Sequence, residues 1–163
     1  MLFRSLCTTR SWLVASRAYL RRAGAPATPA DLAAHDCLHY LRPGDTPTWS
    51  FEPDPALKSK SGRVSVAVRG VFAANNSEAL REAALAGLGI ALLPDFSAQA
   101  AVRSGKLQLV LPQWKPVGAF GEHLYAIRPY SPVVPRAVQA FIGYWREALA
   151  AGFSVDRPSR PRA

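Results

Sequence analysis

The sequence predicts an α/β fold, most clearly in the segment from Asn75 to Pro94. Asn75 lies three residues before Glu78, and the two side chains can reciprocally cap the exposed N–H groups at the start of a helix. The apolar stripe of this helix is formed by residues at helical spacing, namely Leu80, Ala83, Ala84 and Leu88. Gly87 is a favourable left-handed C-terminal cap. The apolar run Ile90–Leu93 predicts a strand buried on both faces, and Pro94 ends it because proline has no N–H for the ladder.

The composition is that of one folded domain. The 163 residues are 49% hydrophobic and 19% charged, whereas a disordered chain is poorer in apolar residues. The two cysteines, Cys7 and Cys37, are too few for a disulfide framework, so we expect reduced thiols and a cytoplasmic protein. The longest uncharged run, Ala83–Pro94, is much shorter than the roughly 20 residues of a membrane span, so no membrane partner is expected.

The net charge of +9 lies largely at the two ends of the chain. The arginines concerned are Arg4, Arg10, Arg17, Arg21 and Arg22, before the first acidic residue, and Arg157, Arg160 and Arg162 near the C-terminus. No dense Lys/Arg run lies between them, and a nucleic-acid-binding face needs a basic patch carried by a recognisable motif. We therefore expect no specific DNA binding by this chain.

Local patterns before Asn75 predict strands and short helices in alternation. A strand over Trp12–Ala15 precedes a helix that is capped by Ser16 and stops at Gly24. Residues Thr28–Asp31 combine an N-cap threonine, a proline at the first helical position and a following acid, which is typical of a helix start. Further strands are expected at Cys37–Leu41, Trp49–Phe51 and Arg63–Val68.

The pattern continues after the central segment. Asp95 is expected to cap a helix that runs towards Gly105, and a strand follows near Lys106–Val110. The segment Pro112–Gly121 contains two prolines and two glycines, so we expect an irregular connection there.

The C-terminal part predicts one strand and one helix. The strand is expected over Glu122–Arg128, and Pro135 starts the helix. The helix has a broad apolar stripe that must be covered, formed by Val134, Ala137, Val138, Phe141, Ile142, Trp145 and Leu149. Beyond Gly152 no periodicity is present, which predicts a disordered tail.

Candidate catalytic and metal-binding residues are few. His35, Cys37 and His39 form H-x-C-x-H, but zinc needs four ligands and its usual spacing leaves more room between them. No G-x-S-x-G motif marks an activated serine, and Gly87 and Gly89 follow a helix, whereas the glycines of a phosphate loop precede one. We expect no metal, no cofactor and no catalytic activity, with a small-molecule hydrolase as the alternative from another class.

Several segments of the chain occur in a characteristic order. The longest is E-A-L-R-E-A-A-L-A-G-L-G-I-A-L-L-P, which ends at Pro94. The others are W-L-V-A-S-R-A-Y-L at Trp12, T-P-A-D-L-A-A-H-D-C-L at Thr28, W-S-F at Trp49, L-Y-A-I-R-P at Leu124 and V-P-R-A-V-Q-A-F-I at Val134. Together they cover roughly Trp12–Ala150 and resemble the effector-binding domain of LysR-type transcriptional regulators.

This resemblance implies an α/β fold of the type 2 periplasmic-binding-protein class, in which two lobes hold a small molecule between them. It assigns residues 12–118 to the second lobe, a mixed sheet flanked by helices. Residues 119–150 are expected to form a remnant strand and helix of the first lobe. Residues 1–11 are then an irregular N-terminus, and 151–163 a disordered tail. The helix-turn-helix and most of the first lobe have no counterpart here, so we expect a truncated regulator.

The expected ligand contacts are loops at the carboxyl ends of the second-lobe strands, where α/β sheets bind ligands. The predicted effector-binding residues are Arg42, Pro43, Asn75, Asn76, Ser77, Leu93 and Pro94. Backbone donors and the dipole at the start of the central helix favour a carboxylate, which indicates an organic acid as the small-molecule effector. Capping alone explains Asn75 and Asn76 equally well.

The resemblance also implies sensing instead of catalysis. The expected protein partner is a second copy of the chain or a full-length relative. The alternatives are a solute-binding-type small-molecule binding protein and a gene fragment without function.

Overall fold

A computed structural model describes residues 2–40, 44, 46–54 and 62–153 of the chain. The chain divides into two compact units. The central unit is Arg10–Phe120, and the terminal unit combines Met1–Thr9 with Gly121–Ala163.

The secondary structure alternates between strands and short helices, as predicted. In chain order the described elements are β1 (Leu2–Thr8), β2 (Ser11–Ser16), α1 (Arg17–Ala23), a 3-10 helix (Pro29–Ala34), β3 (Cys37–Tyr40), β4 (Thr48–Pro53), β5 (Val64–Ala67), β6 (Ala73–Ala74), α2 (Ser77–Leu85), β7 (Ile90–Pro94), α3 (Asp95–Arg103), β8 (Leu107–Leu109), β9 (Trp114–Val117), β10 (His123–Arg128) and α4 (Arg136–Ala148).

The main sheet of the central unit has five strands in the order β6-β3-β7-β2-β8. Strand β3 runs parallel to both β6 and β7, whereas β2 is antiparallel to β7 and β8. Helix α2 connects β6 to β7, which gives a βαβ unit. The predicted mixed sheet is therefore confirmed, and the carboxyl ends of β3, β6 and β7 lie at one edge of it.

The end of helix α2 follows the predicted local chemistry. Gly87 has a φ of 79°, in the left-handed region that favours glycine. Its N–H donates to the carbonyl of Ala84 at 3.0 Å, and the N–H of Leu88 donates to that of Ala83 at 3.1 Å. These two bonds form a Schellman cap, which turns the chain from α2 into β7. Leu80, Ala83 and Ala84 are buried as expected, whereas Leu88 is 42% exposed.

The start of α2 differs from the prediction by one residue. Asn76, not Asn75, is the N-cap, and its side-chain oxygen accepts from the N–H groups of Glu78 at 2.7 Å and Ala79 at 3.3 Å. The reason is the backbone: Asn76 is extended and directly precedes the first helical residue, Ser77, so its oxygen reaches the second and third N–H groups.

Strand β7 is buried along its whole length, as its apolar run predicted. Ile90 and Leu92 join one hydrophobic cluster with residues of the second, smaller sheet. Ala91 and Leu93 join the other cluster, with residues of α2 and α3. Because alternate side chains of a strand point to opposite faces, the main sheet is covered on both sides.

The smaller sheet of the central unit has three antiparallel strands in the order β5-β4-β9. Strand β9 lies within Pro112–Gly121, so the prediction of an irregular connection there is wrong. Pro116 is opposite Phe51 of β4. A proline fits this position because β9 is an edge strand, where the missing N–H interrupts no second ladder.

Helix α1 is anchored by its cap and by one buried side chain. Ser16 accepts a hydrogen bond from the N–H of Tyr19 at 3.2 Å, and Gly24 ends the helix with a φ of 80°, both as predicted. Tyr19 is only 1% exposed. Its hydroxyl accepts from the N–H of Asp36 and contacts Nδ1 of His35, each at 3.0 Å. This network joins α1 to the segment that precedes β3.

The terminal unit contains a two-stranded antiparallel sheet of β1 and β10. Leu2 is opposite Arg128 and Thr8 is opposite His123, so the prediction of an irregular N-terminus over residues 1–11 is wrong for β1. The strand exists because of a partner more than a hundred residues away in sequence, which no local pattern indicates.

Helix α4 follows Pro135, as predicted, and packs against β1. Large apolar side chains of this unit nevertheless remain exposed: Tyr125, Ile127, Tyr130, Val133, Val138, Phe141, Tyr144 and Trp145. The predicted apolar stripe of α4 is thus largely uncovered within the described residues. Of the predicted disordered tail, residues 154–163 lie outside the described residues.

Candidate functional site

The carboxyl edge of the main sheet collects most of the predicted effector-binding residues. Strands β3, β6 and β7 end there at Tyr40, Ala74 and Pro94. Helix α2 starts beside the end of β6, so its first N–H groups and the positive end of its dipole lie at the same edge. Asn75, Asn76 and Ser77 therefore lie at one edge with Pro94.

The polar residues of this edge differ in what their side chains can offer. Asn75 is exposed and Ser77 is half-buried. The side-chain oxygen of Asn76 is occupied by two backbone donors of α2, so its amide nitrogen is the group left for a ligand.

The remaining predicted residues contribute less side-chain surface. Leu93 is fully buried in the cluster shared with α2 and α3, and Pro94 is buried as well. A ligand at this edge would meet their backbone first. Arg42 and Pro43 lie outside the described residues.

A cavity of about 440 Å³ lies in the central unit and was not predicted. Its lining comes from the end of β3, the start of β4, the approach to β5, the middle of β7 and the end of β9. The lining residues are His39, Tyr40, Thr46, Pro47, Thr48, Trp49, Ser50, Arg63, Leu92, Val117, Gly118, Ala119 and Phe120.

One wall of the cavity is aromatic and apolar. The rings of Tyr40 and Phe120 meet edge to face, with centroids 5.1 Å apart and an interplanar angle of 73°. Trp49 and Leu92 are buried in the adjoining core. This wall offers ring faces and edges for contact with a planar apolar group.

The rest of the lining is polar. Thr48 donates to the carbonyl of Thr46 at 3.1 Å, and the hydroxyls of Ser50 and Ser65 are 2.8 Å apart. Nδ1 of His39 lies 3.2 Å from the carbonyl of Cys37, so it donates there and Nε2 is the ring nitrogen left for another partner.

Arg63 supplies the charge of the cavity. It is the one formally charged side chain among the described residues that line it. A Cβ placed on Gly118 would be 3.5 Å from Nη2 of Arg63, so the guanidinium lies across the lining beside that glycine.

The sequence contained one usable indication of this cavity. The W-S-F segment at Trp49 belongs both to the family pattern and to a predicted strand, and its first two residues, Trp49 and Ser50, line the cavity together with Thr48. The other walls come from segments far apart in sequence, so their juxtaposition has no local signature.

The H-x-C-x-H segment has structural roles. Nδ1 of His35 contacts the hydroxyl of Tyr19, and the thiol of Cys37 is buried within 3.5 Å of the carbonyl of Leu32. Burial raises the pKa of Cys37 to about 12, so its thiol is protonated at neutral pH, whereas a metal ligand is a thiolate. The described residues hold no cluster of three or more His, Cys, Asp or Glu side chains suited to a metal.

The helices of the central and terminal units are short. Within the described ranges, none of them has both the length and the apolar character that crossing a bilayer requires.

The family is shown by comparison with known proteins. The LysR substrate binding domain family matches residues 1–150. The chain therefore belongs to the LysR substrate-binding domain family, as the order of its segments predicted.

Curated relatives are transcriptional regulators. The chain is 31% identical to the probable HTH-type transcriptional regulator LtrA of Klebsiella pneumoniae, over 90% of this chain and 45% of the relative. It is 34% identical to the HTH-type transcriptional regulator PtxR of Pseudomonas aeruginosa, over 88% of this chain and 43% of that protein. The chain spans less than half the length of these two relatives.

A solved structure agrees with the fold. The CrgA regulatory domain of Neisseria meningitidis, a LysR-type transcriptional regulator, superposes with a TM-score of 0.73 at 28% identity, covering 91% of this chain and 69% of that one. The chain thus has the fold of LysR-type regulatory domains, the predicted periplasmic-binding-protein-like α/β class.

Proposed function

We propose that this chain is the effector-binding part of a LysR-type transcriptional regulator and that it senses a small organic acid. The proposed contacts are Arg42, Pro43, Asn75, Asn76, Ser77, Leu93 and Pro94. The observation that carries the proposal is the meeting of three parallel strand ends with the N-terminus of α2 at one sheet edge. In open α/β sheets this edge is where ligands bind.

The polar groups at this sheet edge favour the binding of an anion, with modest affinity. The start of α2 presents backbone N–H groups and a partial positive charge, and such a helix end stabilises a carboxylate by about 0.3–1 kcal/mol when exposed. Asn75 and Ser77 add polar groups beside it. We therefore expect saturable but weak binding, in the millimolar range, by this chain.

Sensing without catalysis is the second part of the proposal. The curated relatives are regulators, and the buried Cys37 thiol, with its raised pKa, is a poor nucleophile. Turnover of a generic ester or phosphate substrate that disappears when one Ser or His is replaced would contradict this part.

We infer the cellular location and the binding partners of the chain from its curated relatives. A regulator of transcription works in the cytoplasm of a bacterium, and a second copy or a full-length relative is the proposed protein partner. Specific DNA recognition is proposed to reside outside this chain, because its positive charge is concentrated at its ends.

The experiment is a titration of the ¹⁵N-labelled chain with acetate, benzoate and succinate, followed by amide chemical shifts. We expect concentration-dependent shifts at Asn75, Asn76 and Ser77 that saturate. Asn75→Ala should weaken them, whereas Gln139→Ala, which removes an exposed side-chain amide from α4, is the matched control and should leave them unchanged. No saturable shift at α2 with any of the three acids would overturn the proposed site.

A further inference from the structure

Positively charged side chains collect at the edge of the main sheet that lies opposite the proposed effector contacts. Strand β2 ends at this edge, and β7 and β8, which are antiparallel to β2, begin there. Ser16 of β2 is paired with Leu107 of β8. Arg17 follows the first of these residues and Lys106 precedes the second, so the two cations are neighbours at the ends of adjacent strands. Arg21 lies four residues after Arg17 on α1, hence on the same face of that helix.

Arg17, Arg21, Arg22 and Lys106 together form what we call the basic cluster. All four side chains are exposed. Arg22 is held in place, because its guanidinium donates to the carbonyl of Gly87 at 2.9 Å. Within the described part of the chain, no salt bridge neutralises the other three cations. The cluster therefore presents its charge to solvent.

Acidic side chains are few around the basic cluster. The chain has no acidic residue before Asp31. Asp36 precedes β3, which lies two positions from β2 in the sheet, on the side away from β8. Glu82 of α2 is already paired with Arg81 at 3.0 Å. The potential at this edge is therefore positive.

The grouping of Arg17, Arg21 and Lys106 does not stabilise the fold. Like charges four residues apart on a helix repel each other, and Arg17 occupies the first turn of α1, where an acidic residue is favoured. Neighbouring charges of the cluster lie closer together than the Debye length of about 10 Å at 0.1 M salt, so solvent ions screen this repulsion only in part. A bound polyanion would remove the repulsion, which indicates a binding surface.

The backbone of duplex DNA is the polyanion that fits such a surface best. DNA carries one negative charge per about 1.7 Å of its axis, so several adjacent cations can each meet a phosphate. Three of the four cations are arginines, whose guanidinium groups bind phosphate through two parallel N–H donors. The choice of DNA over an acidic protein also rests on the proposed function, since part of a transcriptional regulator works beside DNA.

We propose that the basic cluster contacts the phosphate backbone of duplex DNA without reading its sequence. Contacts to phosphates fix the position of a protein on DNA and carry no direct sequence information. The cluster lies at the edge where β7 and β8 begin, whereas the effector contacts lie where β3, β6 and β7 end. The two surfaces therefore do not overlap.

The test measures the affinity of the full chain for a fluorescein-labelled duplex of mixed sequence, by anisotropy, from about 50 to 200 mM salt. Each phosphate contact contributes about 0.9 to the slope of log K against log salt concentration. Replacing Arg17, Arg21 and Lys106 together with Gln should therefore lower this slope by about 2.7. Arg17→Lys combined with Arg21→Lys keeps the charge and should keep the slope.

The matched control removes the same three charges from exposed positions outside the cluster. It combines Arg63→Gln, Arg136→Gln and Arg146→Gln and should leave the slope nearly unchanged. A second readout is the urea midpoint, which Arg17→Gln should raise slightly because it relieves repulsion on α1. A fall in this midpoint would show that Arg17 supports the fold and would count against the proposal.

The remaining outcomes are equally decisive. An equal loss of slope in the control variant would show that binding follows net charge alone and would overturn the proposed surface. Poly-L-glutamate that displaces the duplex at equal charge concentration would point to an acidic protein and overturn the assignment to DNA. Neither result would affect the effector proposal, because the amide shifts of Asn75–Ser77 with organic acids should be the same in the cluster variants.

Discussion

Replacing Tyr19 with phenylalanine tests the network that joins α1 to the segment before β3. The change removes one hydroxyl and keeps the ring, which is 1% exposed in the core. The lost oxygen accepts the N–H of Asp36 at 3.0 Å, so its proton is directed to Nδ1 of His35, also at 3.0 Å. Both partners would have to find water or go unsatisfied.

The expected loss of stability follows from the burial of these partners. An unsatisfied buried donor costs about 1–3 kcal/mol, but both hydrogen bonds here are only partly buried, so water relieves some of this. We expect the free energy of unfolding to fall by about 1–2 kcal/mol. For a chain of this length that corresponds to a drop in Tm of roughly 2–8 °C.

The assay must follow the central unit alone, because the chain has two compact units and need not unfold in one step. Of the four tryptophans, Trp145 is the one in the terminal unit, so a Trp145→Phe background restricts the fluorescence to Trp12, Trp49 and Trp114. Urea unfolding of this background with and without Tyr19→Phe gives the difference.

The control is Tyr130→Phe, which removes the same hydroxyl from a side chain that is 74% exposed. Its effect should stay within about 0.5 kcal/mol, as for most surface changes. An equal, negligible effect of both substitutions would refute the inferred role of the Tyr19 network.

Three further predictions concern the thiols, association and DNA. In the folded chain a thiol reagent should modify the half-buried Cys7 and spare the buried Cys37. Burial raises the pKa of the Cys37 thiol to about 12, whereas in the unfolded chain this thiol loses its proton from about pH 9. The free energy of unfolding should therefore fall as the pH rises between these two values. Sedimentation should show concentration-dependent association of the chain, because the apolar side chains of Phe141 and Tyr144 are 63% and 65% exposed. Replacing both residues with Lys should abolish this association, whereas the control substitution Glu147→Lys should leave it unchanged. Binding to duplex DNA should be indifferent to sequence and fall steeply with salt.

Each of these has a contrary outcome. Equal labelling rates for Cys7 and Cys37 would show that the core opens readily around β3. A single monomeric mass at all concentrations would mean that the exposed residues of α4 do not drive association. Preference for one DNA sequence at physiological salt would reveal a reading element in this chain.

Local sequence patterns are sufficient to predict the elements that are stabilised by neighbouring residues. The cap at Ser16, the glycine turn at Gly87 and the fully apolar run of β7 are each set by residues within one or two helical turns. The family followed from the order of several such segments. The N-cap of α2 was misplaced by one residue because Asn75 and Asn76 are equally good caps, and only the backbone conformation chose between them.

Features that join distant segments depend on how the chain folds as a whole. Strand β1 forms because it meets β10 across the length of the chain, and β9 tolerates Pro116 because it lies at a sheet edge. The cavity is assembled from five separate stretches, so Arg63 and Phe120 carry no local sign that they line one space. A sequence pattern records what a residue contacts within its own helix or strand, whereas a site depends on which strands become neighbours.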